Sequence, residues 1–214
     1  FHNSIMVANE IAEQKKLVAI GVEPSAAETR YGYIEIDNSD KSEYYNITSF
    51  TEKPNQKNAK KYLDSGNYLW NSGIFLFRAS VYLRELEKFE PEIYTACKKS
   101  SKSVNIDSDF VRLDNIHFRK CPSKSIDYAV MEKTNDAVVV PFNGVWSDIG
   151  SWETLWKAKP KDTNNNVIEG DVILDKVSNS YVYSSNRLVS ATNLSDLIII
   201  DTQDALLVSS KKSS

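Results

Sequence analysis

The stretch AVVVPFNGVWSDIGSWETLW, residues 137–156, decides the fold class of this 214-residue chain. Its first six residues form a nearly unbroken apolar run, which is typical of a strand buried on both faces of a parallel sheet. A turn containing two glycines follows, and residues 151–156 predict the start of a helix. A buried strand that leads through a short turn into a helix indicates an α/β architecture.

Upstream of this stretch, strand patterns alternate with helix patterns. The predicted strands are residues 17–22, 31–36, 44–52 and 69–78, with a polar turn at 37–43. The predicted helices are residues 55–65, 81–89, 91–99 and 125–133. We therefore expect residues 1–160 to form an α/β domain with a mixed, mostly parallel sheet flanked by helices.

The pattern changes after a polar linker at residues 159–166, so we expect residues 161–214 to form a small β-rich appendix. Short apolar runs begin near Val172, Tyr181, Leu188, Leu197 and Ala205, roughly 7–9 residues apart, with no helical period between them. This spacing is compatible with a short β-helix, a sandwich or a stack of hairpins, and periodicity alone leaves the three open. Exposed strand edges in such an appendix would suit self-association, which nothing in the sequence specifies.

Composition and charge exclude several classes of protein. The chain has 26 Lys and Arg against 29 Asp and Glu, a net charge of −3, so it lacks the basic field expected of a nucleic-acid-binding protein. No apolar run approaches the roughly 18 residues needed for a membrane span. The two cysteines have no C-x-x-C spacing and are too few for a disulfide framework, which favours a reducing, cytoplasmic setting. Neither G-x-G-x-x-G nor G-x-x-x-x-G-K occurs, so these residues contain no phosphate-binding glycine loop.

Polar residues in or beside predicted strands are the first candidates for a binding site. Glu52 and Lys53 follow a strand and precede Pro54; a carboxylate suits sugar hydroxyls and a lysine suits a phosphate, but a solvated ion pair is an alternative. Asn71 lies in an apolar strand, where its amide either braces the sheet or faces a ligand. Gly32 also interrupts a strand pattern, which indicates a bulge or the close approach of a ligand.

Asp148 is the candidate metal ligand. It follows a predicted buried strand, and ligands gather at the carboxyl ends of strands in open α/β sheets. Mg²⁺ commonly binds one or two carboxylates together with substrate phosphates. The alternative is that Asp148 caps the helix that contains Trp152.

Taken together, these segments resemble the bacterial mannose-1-phosphate guanylyltransferases, also called GDP-mannose pyrophosphorylases. The segments that match in order and approximate spacing are TRYGYIEI (29–36), FTEKPN (50–55), AKKYLDSGNYLWNSGIFLFRAS (59–80), KSIDYAVMEK (124–133) and VVVPFNGVWSDIGSWETLW (138–156). The tail at residues 170–208 is also similar to theirs, so the resemblance covers nearly the whole chain. WNSGIF, SIDYAVMEK and WSDIGSW in series are specific, whereas EKP and YGY recur across sugar-nucleotide pyrophosphorylases.

The resemblance implies a fold, a reaction and a set of residues. The fold is a nucleotide-binding α/β domain with a short left-handed β-helix, and the reaction converts GTP and mannose 1-phosphate to GDP-mannose and pyrophosphate. Gly32 would offer its backbone to the sugar, Glu52 would accept sugar hydroxyls, Lys53 would hold the sugar phosphate and Asn71 would contact the ring. Asp127 would lie near the sugar pocket, where it either binds the sugar or braces the fold.

The resemblance also implies parts that these 214 residues do not contain. Asp148 would be one of two carboxylates that bind Mg²⁺. The second carboxylate belongs to an opening segment absent here, which in the family also contains a glycine-rich G-G-x-G-T-R-L loop and its lysine. We therefore expect a fragment that is inactive alone, and base choice to depend on the absent segment. The alternatives are a dTTP- or UTP-dependent relative and a non-catalytic subunit that binds sugar phosphates. Arg30 stands where the family has glycine, and we expect it to face water.

Overall fold

The computed structural model describes residues 1–37, 42–102 and 104–213. The chain divides into two compact units, Phe1–Val145 and Trp146–Ser214. Most of the polar turn predicted at residues 37–43 lies outside the described residues.

The described part of the first unit alternates strands with helices. Its elements are α1 (His2–Glu13), β1 (Leu17–Val22), β2 (Tyr33–Ile36), β3 (Tyr45–Thr51), α2 (Gln56–Ser65), β4 (Tyr68–Leu76), α3 (Ala79–Phe89), α4 (Pro91–Lys102), β5 (Asn105–Asp107), β6 (Phe110–Arg112), α5 (Asn115–Phe118), a π-helical turn (Asp127–Met131) and β7 (Ala137–Phe142).

The main sheet is mixed, as predicted, but it is not mostly parallel. Its strands follow the order β1, β4, β2, β3 and β7, and β7 pairs again with β1, so the pairings close into a barrel. Among the described strands of this sheet, β1 and β7 pair in parallel and the other four pairings are antiparallel. The expected parallel majority is therefore wrong. The short connection between β2 and β3 requires that pair to be antiparallel, and the other three antiparallel pairings join strands that are not consecutive in the sequence.

Strands β1 and β7 are buried on both faces. Leu17 and Ala19 belong to the larger core cluster on one face, whereas Val18 and Ile20 pack against α1 on the other. Alternate residues of β7 divide between the same two clusters. Burial on both faces explains why both strands are continuous apolar runs, and the predicted strand at residues 137–142 is confirmed.

Helix α2 begins and ends where its sequence predicts. The Asn55 side chain accepts a hydrogen bond from the Asn58 backbone N–H at 2.9 Å, which satisfies one of the free donors of the first turn. Gly66 ends the helix in the left-handed conformation, with φ of 72°. This helix follows directly on the candidate residues Glu52 and Lys53, so its caps fix the chain just after them.

Strand β4 contains a bulge beside Asn71. Ala19 lies opposite Phe75 and Gly21 lies opposite Asn71, so one residue of β1 faces three residues of β4. Gly73, inside this bulge, has φ of 76°, a conformation that residues with a Cβ rarely adopt. Bulges change the direction of nearby side chains. The sheet is therefore irregular at the point where Asn71 leaves it.

The second unit is a parallel coil preceded by a helix. Its described elements are α6 (Trp152–Ala158), β8 (Val167–Glu169), β9 (Val172–Asp175), β10 (Tyr181–Ser184), β11 (Val189–Thr192), β12 (Leu197–Asp201), β13 (Leu206–Ser210) and a 3₁₀ turn (Lys211–Ser213).

Parallel strands stack in this unit. Strand β10 lies between β8 and β12 in one stack, and β9 pairs with β11 in another. Tyr181 lies opposite Ile198 and Val172 opposite Val189, each seventeen positions apart, whereas Tyr181 and Val167 of β8 are fourteen apart. This is a β-helix, which confirms one of the three arrangements that periodicity left open. Each turn of the coil contributes two strands, and the 7–9-residue spacing of the apolar runs reflects this.

Asparagine and aspartate side chains occupy a corner of the coil. Asn165, Asn179 and Asp196 have φ between 56° and 64°, a left-handed region that Asn and Asp tolerate better than other residues with a side chain. The Asn165 amide donates to Asn179 Oδ1 at 2.8 Å, and the Asn179 amide donates in turn to Asp196. The corner is therefore hydrogen-bonded from one turn of the coil to the next.

Helix α6 packs on the coil. Trp156 shares a buried cluster with Tyr181 and Ile198, and its indole N–H donates to the carbonyl oxygen of Asn165 at 3.1 Å. The Lys211 ammonium lies 3.5 Å from the centre of the Trp156 ring, within cation–π distance. These contacts explain why α6 belongs to the second compact unit, whereas the sequence analysis grouped it with the α/β domain.

Candidate functional site

The end of β3 places Glu52 beside Lys53. The strand stops at Thr51, and Lys53 has φ of 47°, so the alternation of side chains along a strand no longer applies. The Lys53 ammonium lies 3.5 Å from Glu52 Oε1. The Glu52 side chain is 9 % exposed and that of Lys53 is 59 % exposed. The pair is therefore not simply solvated: a buried carboxylate stands next to an accessible cation.

Gly32 makes room for the Glu52 carboxylate. A Cβ at this position would lie 2.5 Å from Glu52 Oε2 and 3.1 Å from the Asn71 Cβ, so a larger residue would push the Glu52 carboxylate out of its place. Oε2 is buried and has no hydrogen-bond partner among the described residues. Because buried polar atoms are nearly always hydrogen-bonded, an unpartnered acceptor here suggests that a donor from a ligand completes it.

Burial raises the pKa of the Glu52 carboxyl above its ordinary value, and the nearby Asp127 carboxylate raises it further. Lys53 opposes this rise in pKa, and Glu132 adds a smaller contribution in the same direction as Asp127. A raised pKa means that the folded protein holds the proton more tightly than the unfolded chain does. The charged carboxylate therefore reduces stability. This cost decreases as the pH falls below the raised pKa and is gone below the ordinary pKa of glutamate.

We expect Glu52→Gln to stabilise the protein more at ~pH 7 than at ~pH 5, because the amide carries no charge to desolvate. Thermal unfolding of both proteins followed by circular dichroism at the two pH values measures the difference. Glu10→Gln, on the exposed face of α1, is the matched control and should show no such pH dependence. A stability difference for Glu52→Gln that does not change with pH would contradict the burial cost.

Asn71 connects the bulge of β4 to the π-helical turn. Its side-chain amide donates to Asp127 Oδ1 at 2.9 Å, and its Oδ1 accepts from the Gly73 backbone N–H at 3.0 Å. Its own backbone N–H donates to the Gly32 carbonyl oxygen at 2.8 Å. The sequence predicts that Asn71 either braces the sheet or faces a ligand. Its hydrogen bonds within the protein are those expected of a residue that braces the sheet, and its contact with a sugar stays a prediction.

The structure thus brings five predicted residues together in the first unit. The chain of contacts runs from Lys53 to Glu52, from Glu52 to Gly32, and from Gly32 through Asn71 to Asp127. Asp127 is half-buried and begins the π-helical turn. Whether it also contacts a sugar stays a prediction.

Asp148 belongs to the second unit, in a turn before α6. The helix is capped by Ser151, whose hydroxyl accepts from the Thr154 backbone N–H at 3.1 Å, so the alternative that Asp148 caps this helix is wrong. Asp148 Oδ1 accepts from the Gly150 N–H at 3.4 Å, and the side chain is exposed. Ile149 has φ of 45°, which is an outlier for a β-branched residue. Strained backbone of this kind concentrates at functional sites.

Sequence reasoning missed Glu132. Its carboxylate Oε1 accepts the backbone N–H of Glu52 at 2.9 Å across 80 positions of sequence. No local pattern could have revealed this contact, because it depends on how β3 and the π-helical turn meet. Arg30, in contrast, is exposed as predicted, and its guanidinium pairs with Glu28 at 2.8 Å.

The described residues also limit the classes of site. Within them, no helix combines the length and the apolar character needed to cross a bilayer. The same ranges include no group of three or more His, Cys, Asp and Glu side chains arranged to hold a metal ion. A metal at Asp148 would therefore need ligands from outside the described side chains, such as substrate phosphates.

Comparison with known proteins agrees with the fold. The family profile described as "Nucleotidyl transferase" matches residues 1–165, and the profile described as "MannoseP isomerase/GMP-like beta-helix domain" matches residues 170–214. The chain belongs to the nucleotidyl transferase family.

Its similar relatives are mannose-1-phosphate guanylyltransferases. The enzyme of that name from Salmonella montevideo is 49 % identical over 214 residues, which is 97 % of this chain and 45 % of the relative. "Mannose-1-phosphate guanylyltransferase 2" from Escherichia coli O157:H7 is 45 % identical over 218 residues, 99 % of this chain and 45 % of the relative. The chain thus spans just under half the length of these relatives.

Solved structures show the same likeness. A crystal structure described as "mannose-1-phosphate geranyltransferase" from Thermus thermophilus has a TM-score of 0.81 at 27 % identity, over 98 % of this chain and 60 % of that one. A "mannose-6-phosphate isomerase" from Helicobacter pylori has a TM-score of 0.63 at 33 % identity, over 68 % of this chain and 57 % of that one. The α/β fold and the β-helix predicted from the sequence are confirmed.

Proposed function

We propose that the full-length protein carrying this chain forms GDP-mannose and pyrophosphate from GTP and mannose 1-phosphate. The observation that carries the proposal is the buried, unpartnered Oε2 of Glu52 against Gly32, beside the accessible ammonium of Lys53. A sugar hydroxyl can donate to the first group while a phosphate on the same molecule binds the second. The choice of mannose and guanine rests on the names of relatives that are 44–49 % identical over nearly the whole chain.

In this proposal, the five clustered residues bind the sugar phosphate. Glu52 accepts hydroxyl groups of the ring, Gly32 lets the ring approach the backbone and Lys53 holds the phosphate. Asn71 contacts the ring from the bulge of β4, and Asp127 holds the Asn71 amide in place through its 2.9 Å hydrogen bond. These groups orient the sugar phosphate before any bond changes, which is where much of the catalysis of phosphoryl transfer comes from.

Asp148 would hold Mg²⁺. The fit rests on donor chemistry: Asp148 is an exposed carboxylate, and an oxygen ligand of this type with substrate phosphates completes the shell that Mg²⁺ prefers. When bound, Mg²⁺ neutralises the negative charge of the phosphates.

The reaction is an in-line substitution at phosphorus. A phosphate oxygen of mannose 1-phosphate forms a bond to the α-phosphorus of GTP, and the bond from that phosphorus to the oxygen of the β-phosphate breaks, releasing pyrophosphate. Lys53 acts on the attacking side, where it places the phosphate oxygen and offsets its charge. To hold the attacking phosphate, the Lys53 ammonium must be accessible to mannose 1-phosphate, and its 59 % exposed side chain meets this requirement.

An assay of the full-length protein with Mg²⁺ tests the proposal. Each of GTP, dTTP and UTP is paired with mannose 1-phosphate and, separately, with glucose 1-phosphate. We expect GDP-mannose and pyrophosphate from the first pair at a specificity well above the others. Preferential turnover of dTTP or UTP would assign the protein to a related nucleotidyltransferase instead. Binding of mannose 1-phosphate without turnover of any nucleotide would indicate a non-catalytic subunit.

We also infer a cytoplasmic location. Two cysteines, Cys97 and Cys121, are too few for a disulfide framework, which is compatible with a reducing compartment. The net charge of −3 supports small-molecule substrates over nucleic acid, and neither nucleic acid nor a membrane is proposed as a partner. Self-association through the exposed edge of the coil stays a proposal, which sedimentation of the full-length protein would test.

A further inference from the structure

The π-helical turn presents two carboxylates to the candidate site. The Glu132 backbone N–H donates to the Asp127 carbonyl oxygen at 2.9 Å, the spacing of five residues that defines a π-turn. Asp127 opens the turn and Glu132 immediately follows it. Both carboxylates reach the candidate site, since Asp127 contacts Asn71 and Glu132 contacts the Glu52 backbone.

Each of these carboxylates holds a different strand of the candidate site. Asp127 accepts from the Asn71 side chain on β4, and Glu132 accepts from the backbone N–H of Glu52 at the end of β3. The second bond acts one residue before Lys53, where the backbone enters the left-handed region. It therefore holds the Thr51–Glu52 peptide, from which the chain continues directly to the Glu52 and Lys53 side chains.

The turn itself is firmly anchored. Ala129, Val130 and Met131 are at most 1 % exposed and belong to the larger core cluster of the first unit. Glu132 extends from this buried segment to the surface, where its side chain is exposed. Its 2.9 Å bond thus connects the end of β3 to a rigid part of the core.

We propose that Glu132 is a positioning residue, which holds the Thr51–Glu52 peptide at the end of β3 so that the Glu52 and Lys53 side chains can engage a sugar 1-phosphate. The inference rests on the proposed function of that site and adds a residue that contacts no substrate itself. Since Glu132 acts on the residues that bind the sugar phosphate, its loss should affect that substrate and leave the nucleoside triphosphate unaffected.

Steady-state kinetics of the full-length protein tests the proposal, with Glu132→Ala, Glu132→Gln and the exposed α3 variant Glu87→Ala as the matched control. We expect Glu132→Ala to raise the KM for mannose 1-phosphate about tenfold, because a lost hydrogen bond to a charged group has roughly this effect. The KM for GTP and the kcat should stay within about threefold of the wild-type values. Glu132→Gln should stay within about threefold in every constant, because its amide oxygen can accept the same bond. Glu87→Ala should behave as wild type.

Hydrogen exchange at the Glu52 amide gives a readout that does not depend on turnover. Exchange should accelerate in Glu132→Ala and remain slow in Glu132→Gln, since only the former removes the acceptor. An unchanged KM for mannose 1-phosphate in Glu132→Ala, or an equal rise in Glu132→Gln, would overturn the positioning role. Absence of turnover in the wild-type protein would instead refute the proposed function, and the exchange measurement would still decide whether Glu132 holds the peptide.

Discussion

Replacing Asp148 with asparagine should lower kcat of the full-length protein by about 100-fold or more, without unfolding it. Asparagine keeps the size of the side chain and the acceptor for the Gly150 N–H, but it removes the charge that would hold Mg²⁺. A metal ion contributes several kcal/mol of charge stabilisation in such reactions, and about 1.4 kcal/mol corresponds to a factor of ten. Initial rates with GTP and mannose 1-phosphate over a Mg²⁺ titration measure the effect.

The matched control is Asp171→Asn, which removes an exposed carboxylate from the same compact unit. It should leave kcat unchanged, and the two variants should unfold at similar temperatures because both positions are on the surface. If Asp148→Asn keeps wild-type turnover at saturating Mg²⁺, Asp148 has no metal role.

Replacing Lys53 with methionine should lower kcat/KM for mannose 1-phosphate by roughly 10- to 100-fold. The methionine side chain has similar length and no charge, so the phosphate loses a charge-assisted hydrogen bond worth about 1.5–3 kcal/mol. The fold should tolerate the change because the Lys53 side chain is 59 % exposed. Kinetics with each substrate varied in turn should show that the KM for GTP changes little.

Lys57→Met is the matched control, an exposed lysine in the first turn of α2. It should reproduce wild-type kinetics, which would show that the effect at Lys53 is not a general loss of positive charge. A rise in the KM for GTP in Lys53→Met, with that for mannose 1-phosphate unchanged, would place Lys53 on the nucleotide instead.

Loss of Lys53 should also change the pH dependence of sugar binding. The ammonium opposes the burial that raises the pKa of Glu52, so the pKa should rise further in Lys53→Met. Since Glu52 accepts sugar hydroxyls best as a carboxylate, the acid limb of the kcat/KM profile should move to higher pH.

Much of the first unit was predictable because its signals are local. The run at residues 17–22 coincides with β1, since a strand buried on both faces has no polar positions to blur its ends. Asn55 and Gly66 bound α2 through hydrogen bonds and backbone conformations that span a few residues. Glu52 and Lys53 were recognisable for a similar reason: two charged residues between a strand and a proline are conspicuous in sequence.

The remaining features depend on contacts between distant segments. The antiparallel majority of the sheet follows from which strands become neighbours, and the apolar runs do not encode that order. The bond from Glu52 to Glu132 forms only after β3 and the π-helical turn meet. The role of Asn71 as a brace likewise required the position of Asp127 in space.

The regular coil of the second unit constrains how its sequence can change in length. Val182 on β10 contributes to the interior cluster of the coil, whereas its neighbour Tyr181 packs with Trp156 of α6. One residue inserted into β10 would exchange these two faces, so that Val182 would leave the interior cluster and the larger Tyr181 would enter it. Addition of a whole turn, which is seventeen residues from β10 to β12 and from β9 to β11, would keep the same side chains on each face. Evolution of this part of the molecule is therefore restricted to whole turns, or to loops that leave the strand register intact.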